Sequence, residues 1–309
     1  MHVERSCARE LALRAVAVAG GGVKGDGGLV MVIGGSREYP GPPYVAALAA
    51  RRAGAHGVRV AAPPAPAAQQ VALEAHLIAG LGSELDAAAV AAAARVSRRM
   101  ARRLIETGAR GRVVWLVGPG LGGSPVAGRV LDALQEVRDH DRGAALVVDG
   151  SLGGGPRARE RLRHLGADLV LLNRAEAHAL LAGSGPVGRA GRGGAVDPAA
   201  LAQSARETGA VMVAKGDPDL ITDGTQTLLV PAGYPGLARH GSGDVLAGAA
   251  AALLAQTLAP AEAAALACHL VGTAGQVLDR EVGPGWLTRE LLDAVATALR
   301  DLLAAPARH

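Results

Sequence analysis

The chain has 309 residues, half of them apolar, with two Trp, three Tyr and no Phe. That length supports a sizeable buried core, which has to be assembled from Ala, Val and Leu by close packing of small side chains. The formal charge of +4 is spread through helical stretches such as residues 95–103 without aromatic or motif support, which argues against a nucleic-acid surface.

Residues 1–22 read as a helical lead, with a helix over 8–18 that ends in Gly20-Gly-Gly22. The β-branched run 29–33 predicts a buried strand and 34–43 a turn. A helix over 44–54 and a strand over 57–61 follow, closed by Pro63, Pro64 and Pro66. An alanine-rich helix starts at Ser83 or Asp86 and runs to about Glu106. Residues 113–117 predict a strand ending in Gly118-Pro-Gly-Leu-Gly-Gly123, then a helix over 126–140 and a strand over 145–148 ending at Asp149.

A short helix at 157–165 and a strand at 168–172 come next, and Asn173-Arg-Ala-Glu176 opens a helix to Leu181. The glycine-rich stretch 183–194 predicts a mobile loop. Residues 198–208 are helical, and strand 210–214 runs into Lys215-Gly216. Segments 220–222 and 227–230 flank Asp223-Gly224 as a hairpin, and helices cover 245–255, 260–277 and 288–303.

Strands that end in Gly, Asp or Asn before a helix predict a three-layer α/β/α fold with a mostly parallel central sheet. Its ligands bind at the carboxyl ends of the strands. Gly34, Gly35, Gly118 to Gly122, Asp149, Asn173, Lys215 and Asp244 then share one edge. One catalytic domain is expected over 23–305. Cys7 and Cys268 lie far apart without metal spacing, as in a reducing compartment. No signal-peptide pattern is seen and the apolar run 245–255 is too short to span a bilayer, so a cytoplasmic protein without membrane attachment is expected.

The stretch Gly233-Tyr-Pro-Gly-Leu-Ala-Arg-His-Gly-Ser-Gly-Asp244 organises the rest. Glycines followed by a helix offer several N–H groups and a dipole end to an oxyanion. Asp244 beside such a site suits a base that takes a proton from a hydroxyl. Ser242 or Asp244 as a simple helix cap is the competing reading. Asn173-x-x-Glu176 is likewise either a capping box or, through Glu176 and water, a Mg²⁺ contact. Only Lys24 and Lys215 are lysines. Lys215-Gly216 at a strand end could reach a phosphate, whereas Asp149, Asp217, Asp219 and Asp223 read as turn or metal-related aspartates. His240 adjoins the anion turn. Neither a dinucleotide fingerprint nor a P-loop is present.

Together these motifs resemble the ADP-dependent NAD(P)H-hydrate dehydratases of the ribokinase-like superfamily, over most of the chain. The resemblance rests on Lys24-Gly-Asp-x-Gly-x-Val-x-Val-Ile-Gly-Gly-Ser36, Tyr39-x-Gly-x-Pro-Tyr44, Gly118-Pro-Gly-Leu-Gly122 and Gly241-Ser-Gly-Asp-Val-Leu-Ala-Gly248. Ala267-Cys-His-Leu-Val-Gly-x-Ala-Gly275 and Gly285-x-Leu-Thr288 extend it. It implies Asp244 as catalytic base and Gly241, Ser242 and Gly243 as anion hole, with Gly243, Lys215 and Gly216 on the adenine nucleotide. Gly122, Asn173 and Pro42 would face the hydrate, and Glu176 would bear on Mg²⁺. ADP or ATP as phosphate donor, NADH or NADPH hydrate as substrate, and a homo-oligomer such as a tetramer are implied with them. Four positions depart from the family pattern. Leu171-Leu-Asn173 stands for Thr-Pro-His, Pro42 for alanine, Lys215-Gly-Asp-Pro-Asp219 for Lys-Gly-Ala-Gly-Thr, and Ser242 for threonine. Asn-x-x-Glu is instead similar to the ATP-dependent small-molecule kinases of the superfamily, the alternative function. A nucleotide-binding sensor is the third reading, and the retained Asp244 argues against it.

Overall fold

The computed structural model describes residues 5–20, 22–63, 76–77, 85–122, 125–140, 142–150, 157–182 and 194–305. Pro64, Pro66, Ser83, Gly123 and the stretch 183–193 lie outside them. Among the described residues nine strands form one sheet: β1 (Leu29–Ile33), β2 (Gly57–Ala61), β3 (His76–Leu77), β4 (Val113–Val117), β5 (Ala145–Asp149), β6 (Leu169–Leu172), β7 (Val211–Ala214), β8 (Asp219–Thr222) and β9 (Thr227–Val230). Their order is β3-β2-β1-β4-β5-β6-β7-β8-β9. Pairing is parallel from β3 through β7 and antiparallel across β7-β8-β9.

The helices are α1 (Arg5–Ala19), α2 (Pro42–Arg52), α3 (Ala87–Glu106), α4 (Pro125–His140), α5 (Ala158–Leu165), α6 (Arg174–Leu181), α7 (Pro198–Thr208), α8 (Ser242–Ala255), α9 (Pro260–Glu281) and α10 (Thr288–Ala304). Alternation along each strand splits the core in two. Val30 and Val32 of β1 pack with α1, α2, α8, α9 and α10, while Met31 and Ile33 pack with α3 to α7. The fold is therefore the expected three-layer α/β/α sandwich. Strand β3 was not predicted, because two residues carry no readable period.

Local signals set the helix ends. Asp86 and Asp197 accept N–H bonds from Ala89 and Ala199, at 2.8 and 3.0 Å. Gly166 and Gly209 close α5 and α7 in the left-handed conformation. Helix α8 is buried all round from Val245 to Ala255. It lies so close to α2 that a Cβ on Gly248 would sit 2.1 Å from the Ala46 carbonyl oxygen. Small side chains thus supply the core that the absence of Phe demanded. Helix α1 buries Ala8, Leu11, Ala12 and Ala15 in the same layer, and Arg14 donates to both carboxylate oxygens of Glu262 on α9, at 2.6 and 3.0 Å. Among the described residues no helix is long and apolar enough to cross a membrane.

Candidate active site

The order of the strands reverses between β1 and β4, and parallel α/β sheets open a crevice at such a switch point. Here the loops after the two strands are tied together, with Gly35 N–H donating to the Pro119 carbonyl at 2.7 Å. A Cβ on Gly120 would stand 2.6 Å from the Tyr39 carbonyl oxygen and 3.1 Å from the Pro42 Cβ. Pro42 and the Gly118 to Gly122 turn are therefore neighbours. Around Gly122 there is open space at the Cβ position.

Further along the same edge, α8 begins at Gly241, whose φ of +89° is left-handed. A side chain there would be strained, and its Cβ would meet the Thr288 methyl at 2.7 Å. Neither Ser242 nor Asp244 caps the helix. Ser242 Oγ donates backwards to the carbonyls of Leu237 and Arg239, at 2.6 and 2.9 Å. The N–H groups of Gly243 and Asp244 find no acceptor among the described residues, which leaves the helix N-terminus open to an anion. The loop leading in is braced by Arg239. Its guanidinium lies 3.7 Å from the Trp286 ring centroid and donates to the carbonyls of Gly236 and Trp286, at 2.8 and 2.7 Å. Thr288 Oγ1 donates to the His240 carbonyl at 2.6 Å, while the His240 residue itself is exposed and supplies only that backbone oxygen.

Four charged groups converge below this turn. Lys215, at the end of β7, places Nζ 3.2 Å from Asp149 Oδ1 at the end of β5, with both side chains largely buried. The same Nζ lies 3.3 Å from where a Cβ on Gly243 would be, so the cation sits beside the open helix end. Burial pulls the Lys215 pKa down, but Asp149, Glu176 and Asp244 outweigh it and hold the amine protonated. Asp244 is pushed up to about 7, by burial first and then by Asp149, against the opposing pull of Lys215. A carboxyl that titrates near neutrality can both accept and release a proton under working conditions.

Glu176 and Asn173 do form the reciprocal capping box. Asn173 N–H donates to Glu176 Oε2 at 2.7 Å, and Glu176 N–H donates to Asn173 Oδ1 at 2.9 Å. The box does not use up the carboxylate. Its two oxygens lie 2.5 Å from the Cβ position of Gly150, beside Asp149, and burial raises its pKa while Lys215 lowers it. Asn173 is exposed at the rim. Among the described residues no group of three His, Cys, Asp or Glu side chains could hold a metal. Mg²⁺ commonly takes only one or two carboxylates plus substrate phosphates, and the donor set around Glu176 fits that mode.

The structure thus gathers Asp244, Gly241, Ser242, Gly243, Lys215 and Glu176 on one stretch of the edge and Pro42 and Gly122 at the switch point. The sequence put Asp149 on the ligand edge as a turn or metal-related aspartate, and the structure makes it the ion-pair partner of Lys215. Its place at a strand end, two strands from Lys215, was the available signal. Asp223 is a turn residue, as expected, accepting from the N–H groups of Thr225 and Gln226. Asp217 is exposed.

A family model described as NAD(P)H-hydrate dehydratase matches residues 30–297. The bifunctional NAD(P)H-hydrate repair enzyme Nnr of Pyrobaculum aerophilum is 33% identical over 278 residues, covering 90% of this chain and 51% of that protein. An ADP-dependent (S)-NAD(P)H-hydrate dehydratase of Cenarchaeum symbiosum is 30% identical over 280 residues, 90% of each chain. The chain therefore spans about half the length of the bifunctional relatives it matches. Among solved structures, a ribokinase-like protein of Enterococcus faecalis aligns with TM-score 0.69 and 20% identity over 97% of this chain and 95% of that one. The ADP/ATP-dependent NAD(P)H-hydrate dehydratase of Bacillus subtilis, co-crystallised with ATP/Mg²⁺, aligns with TM-score 0.62 and 20% identity over 90% and 91%. The fold is ribokinase-like, and on the match over residues 30–297 the chain belongs to the NAD(P)H-hydrate dehydratase family.

Proposed function

We propose that the chain uses ADP, or ATP, to dehydrate NADH or NADPH hydrate, with Asp244 as the base. The observation that carries this reading is a half-buried carboxyl held at about 7 in the first turn of a helix whose N-terminus is open, with a protonated lysine beside it. Asp244 takes the proton of the ring hydroxyl while that oxygen attacks the terminal phosphorus of ADP, and the bond to the bridging oxygen breaks to release AMP. The ring nitrogen then expels the phosphorylated oxygen as phosphate, and loss of a proton from the neighbouring ring carbon restores the reduced nicotinamide.

The N–H groups of Gly243 and Asp244, with Gly241 and Ser242 shaping the turn, steady the charge on the transferred group. Lys215 and Gly216 take the nucleotide phosphates, and Pro42, Gly122 and Asn173 face the hydrate. Mg²⁺, held through Glu176, would neutralise phosphate charge. The Cenarchaeum relative is ADP-dependent, and the Bacillus one is ADP/ATP-dependent and was co-crystallised with ATP/Mg²⁺.

The catalytic domain over 23–305, a cytoplasmic setting and a homo-oligomer belong to the same proposal. The free thiols of Cys7 and Cys268 support the setting, and light scattering of the purified chain reads the assembly. The test of function follows the absorbance of reduced nicotinamide as protein meets NADH hydrate, Mg²⁺ and either nucleotide. A nucleotide-dependent rise supports the dehydratase and identifies its donor. Asn173-x-x-Glu176 favours the second reading, a small-molecule kinase, which predicts no rise and an organic phosphate product instead.

A further inference from the structure

Asp219 is a buried carboxylate that the mechanism above does not use. It is 6% exposed, at the start of β8, and its Oδ1 accepts the Gly216 N–H at 2.8 Å. The turn aspartate Asp223 shows what turn-making alone requires. It is exposed, accepts several N–H bonds, and has its pKa lowered by them. Asp219 is the reverse, with burial raising its pKa against a single backbone N–H, the Cys268 thiol and the charge of Lys215. Cys268 is itself buried on α9, and burial together with the neighbouring Asp219 raises its pKa.

The surroundings explain why an acceptor is kept there. A Cβ on Gly233 would lie 2.0 Å from the Gly216 carbonyl oxygen and 3.4 Å from Asp219 Oδ1. Gly233 opens the segment that leads to Gly241 and Asp244. One turn beyond Cys268 on α9, Gly272 would place a Cβ 2.2 Å from the Ala232 carbonyl oxygen. Asp219 therefore stands where the Lys215-Gly216 segment, the approach to α8 and helix α9 meet.

We propose that Asp219 is a positioning residue: seated on Cys268 and bonded by Gly216 N–H, it fixes the Lys215-Gly216 segment in the conformation that receives the nucleotide. This rests on the nucleotide reading given above. It governs nucleotide affinity and leaves the phosphoryl-transfer step alone.

Steady-state kinetics and calorimetry with ADP and ATP on wild type, D219A and D219N test it. D219A should raise the nucleotide KM and Kd by about tenfold or more, as loss of a buried N–H acceptor implies, with kcat changed less than about threefold. D219N keeps an oxygen acceptor and should stay within about threefold of wild type on the same scale. Unchanged KM and Kd in D219A, a fall in kcat alone, or equal damage in D219N each overturn the role. If D219A does not fold, D219N and amide exchange of the wild type decide. The Gly216 amide should exchange at least about tenfold more slowly than that of the exposed Asp217 before nucleotide is added, and equal rates overturn the proposal. A wild type that binds neither nucleotide overturns the site reading itself and the positioning role with it. Binding in the wild type with unaltered affinity in D219A overturns the positioning role alone.

Discussion

Replacing Asp244 with asparagine keeps the side-chain shape in the first turn of α8 and removes a carboxyl that titrates at about 7. An aspartate that titrates near 7 in place of about 4 costs about 4 kcal/mol more to ionise than a solvated one. From about pH 4 to about pH 7 the unfolded chain releases this proton while the folded protein retains it. The native state then holds more protons, so this group lowers stability with rising pH, by up to about 1.4 kcal/mol per pH unit, and the loss levels off above about 7. Asparagine does not titrate. The melting-temperature advantage of D244N over wild type should therefore grow across that window and stay flat beyond it.

In the same variant kcat should fall by about 10²–10⁴, the usual contribution of a positioned base, with nucleotide affinity preserved. Wild-type kcat/KM should show an acid limb near neutrality. A D244N enzyme with turnover close to wild type, a pH-independent difference in melting temperature, or an acid limb near pH 4 would refute the reasoning.

Lys215→Met removes the cation beside the open helix end and should weaken nucleotide binding by about 10–100-fold, the size of a charge-assisted bond, as read by calorimetry. Gly241→Ala forces a side chain into left-handed backbone against Thr288 and should cost about 2 kcal/mol in denaturant unfolding, with turnover reduced. Glu176→Gln keeps an acceptor for Asn173 N–H but loses the charge, so the Mg²⁺ needed for half-maximal activity should rise by about tenfold while nucleotide affinity without Mg²⁺ holds.

Most strands were legible because a strand buried on both faces reads as a short β-branched run, as β1 and β4 do, and the bounds of β1, β2 and β4 match the expected ones residue for residue. The site was legible only in part. Scarcity of lysine pointed equally to Lys24 and Lys215, yet Lys24 is exposed and only Lys215 enters the charged cluster. Ser242 looked like a cap because its hydroxyl could reach forward, and the fold turns that hydroxyl back onto Leu237 and Arg239. Asp149 and Asp219 read as turn or metal-related aspartates, Asp149 on the ligand edge, and their pairing with Lys215 and Gly216 N–H was not legible, since nothing local marks burial that comes from strands and helices distant in sequence. At Asn173 and Glu176 the local reading holds, and the same carboxylate, with a backbone N–H satisfied, still faces the cluster.

Helix α8 also bears on how the protein tolerates change. Its first turn carries Asp244, the proposed base, and its body has no free side, so any shift of its axis moves Asp244 with it. Enlarging Ala46 or Ala49 on α2, which face Gly248, should disturb turnover from a distance, through backbone displacement alone. In a library selected for activity these alanines should be as intolerant as the glycines of the anion turn. A library selected only for folding should accept some of them. The gap between the two profiles would measure how rigidly this enzyme has tied its chemistry to its core.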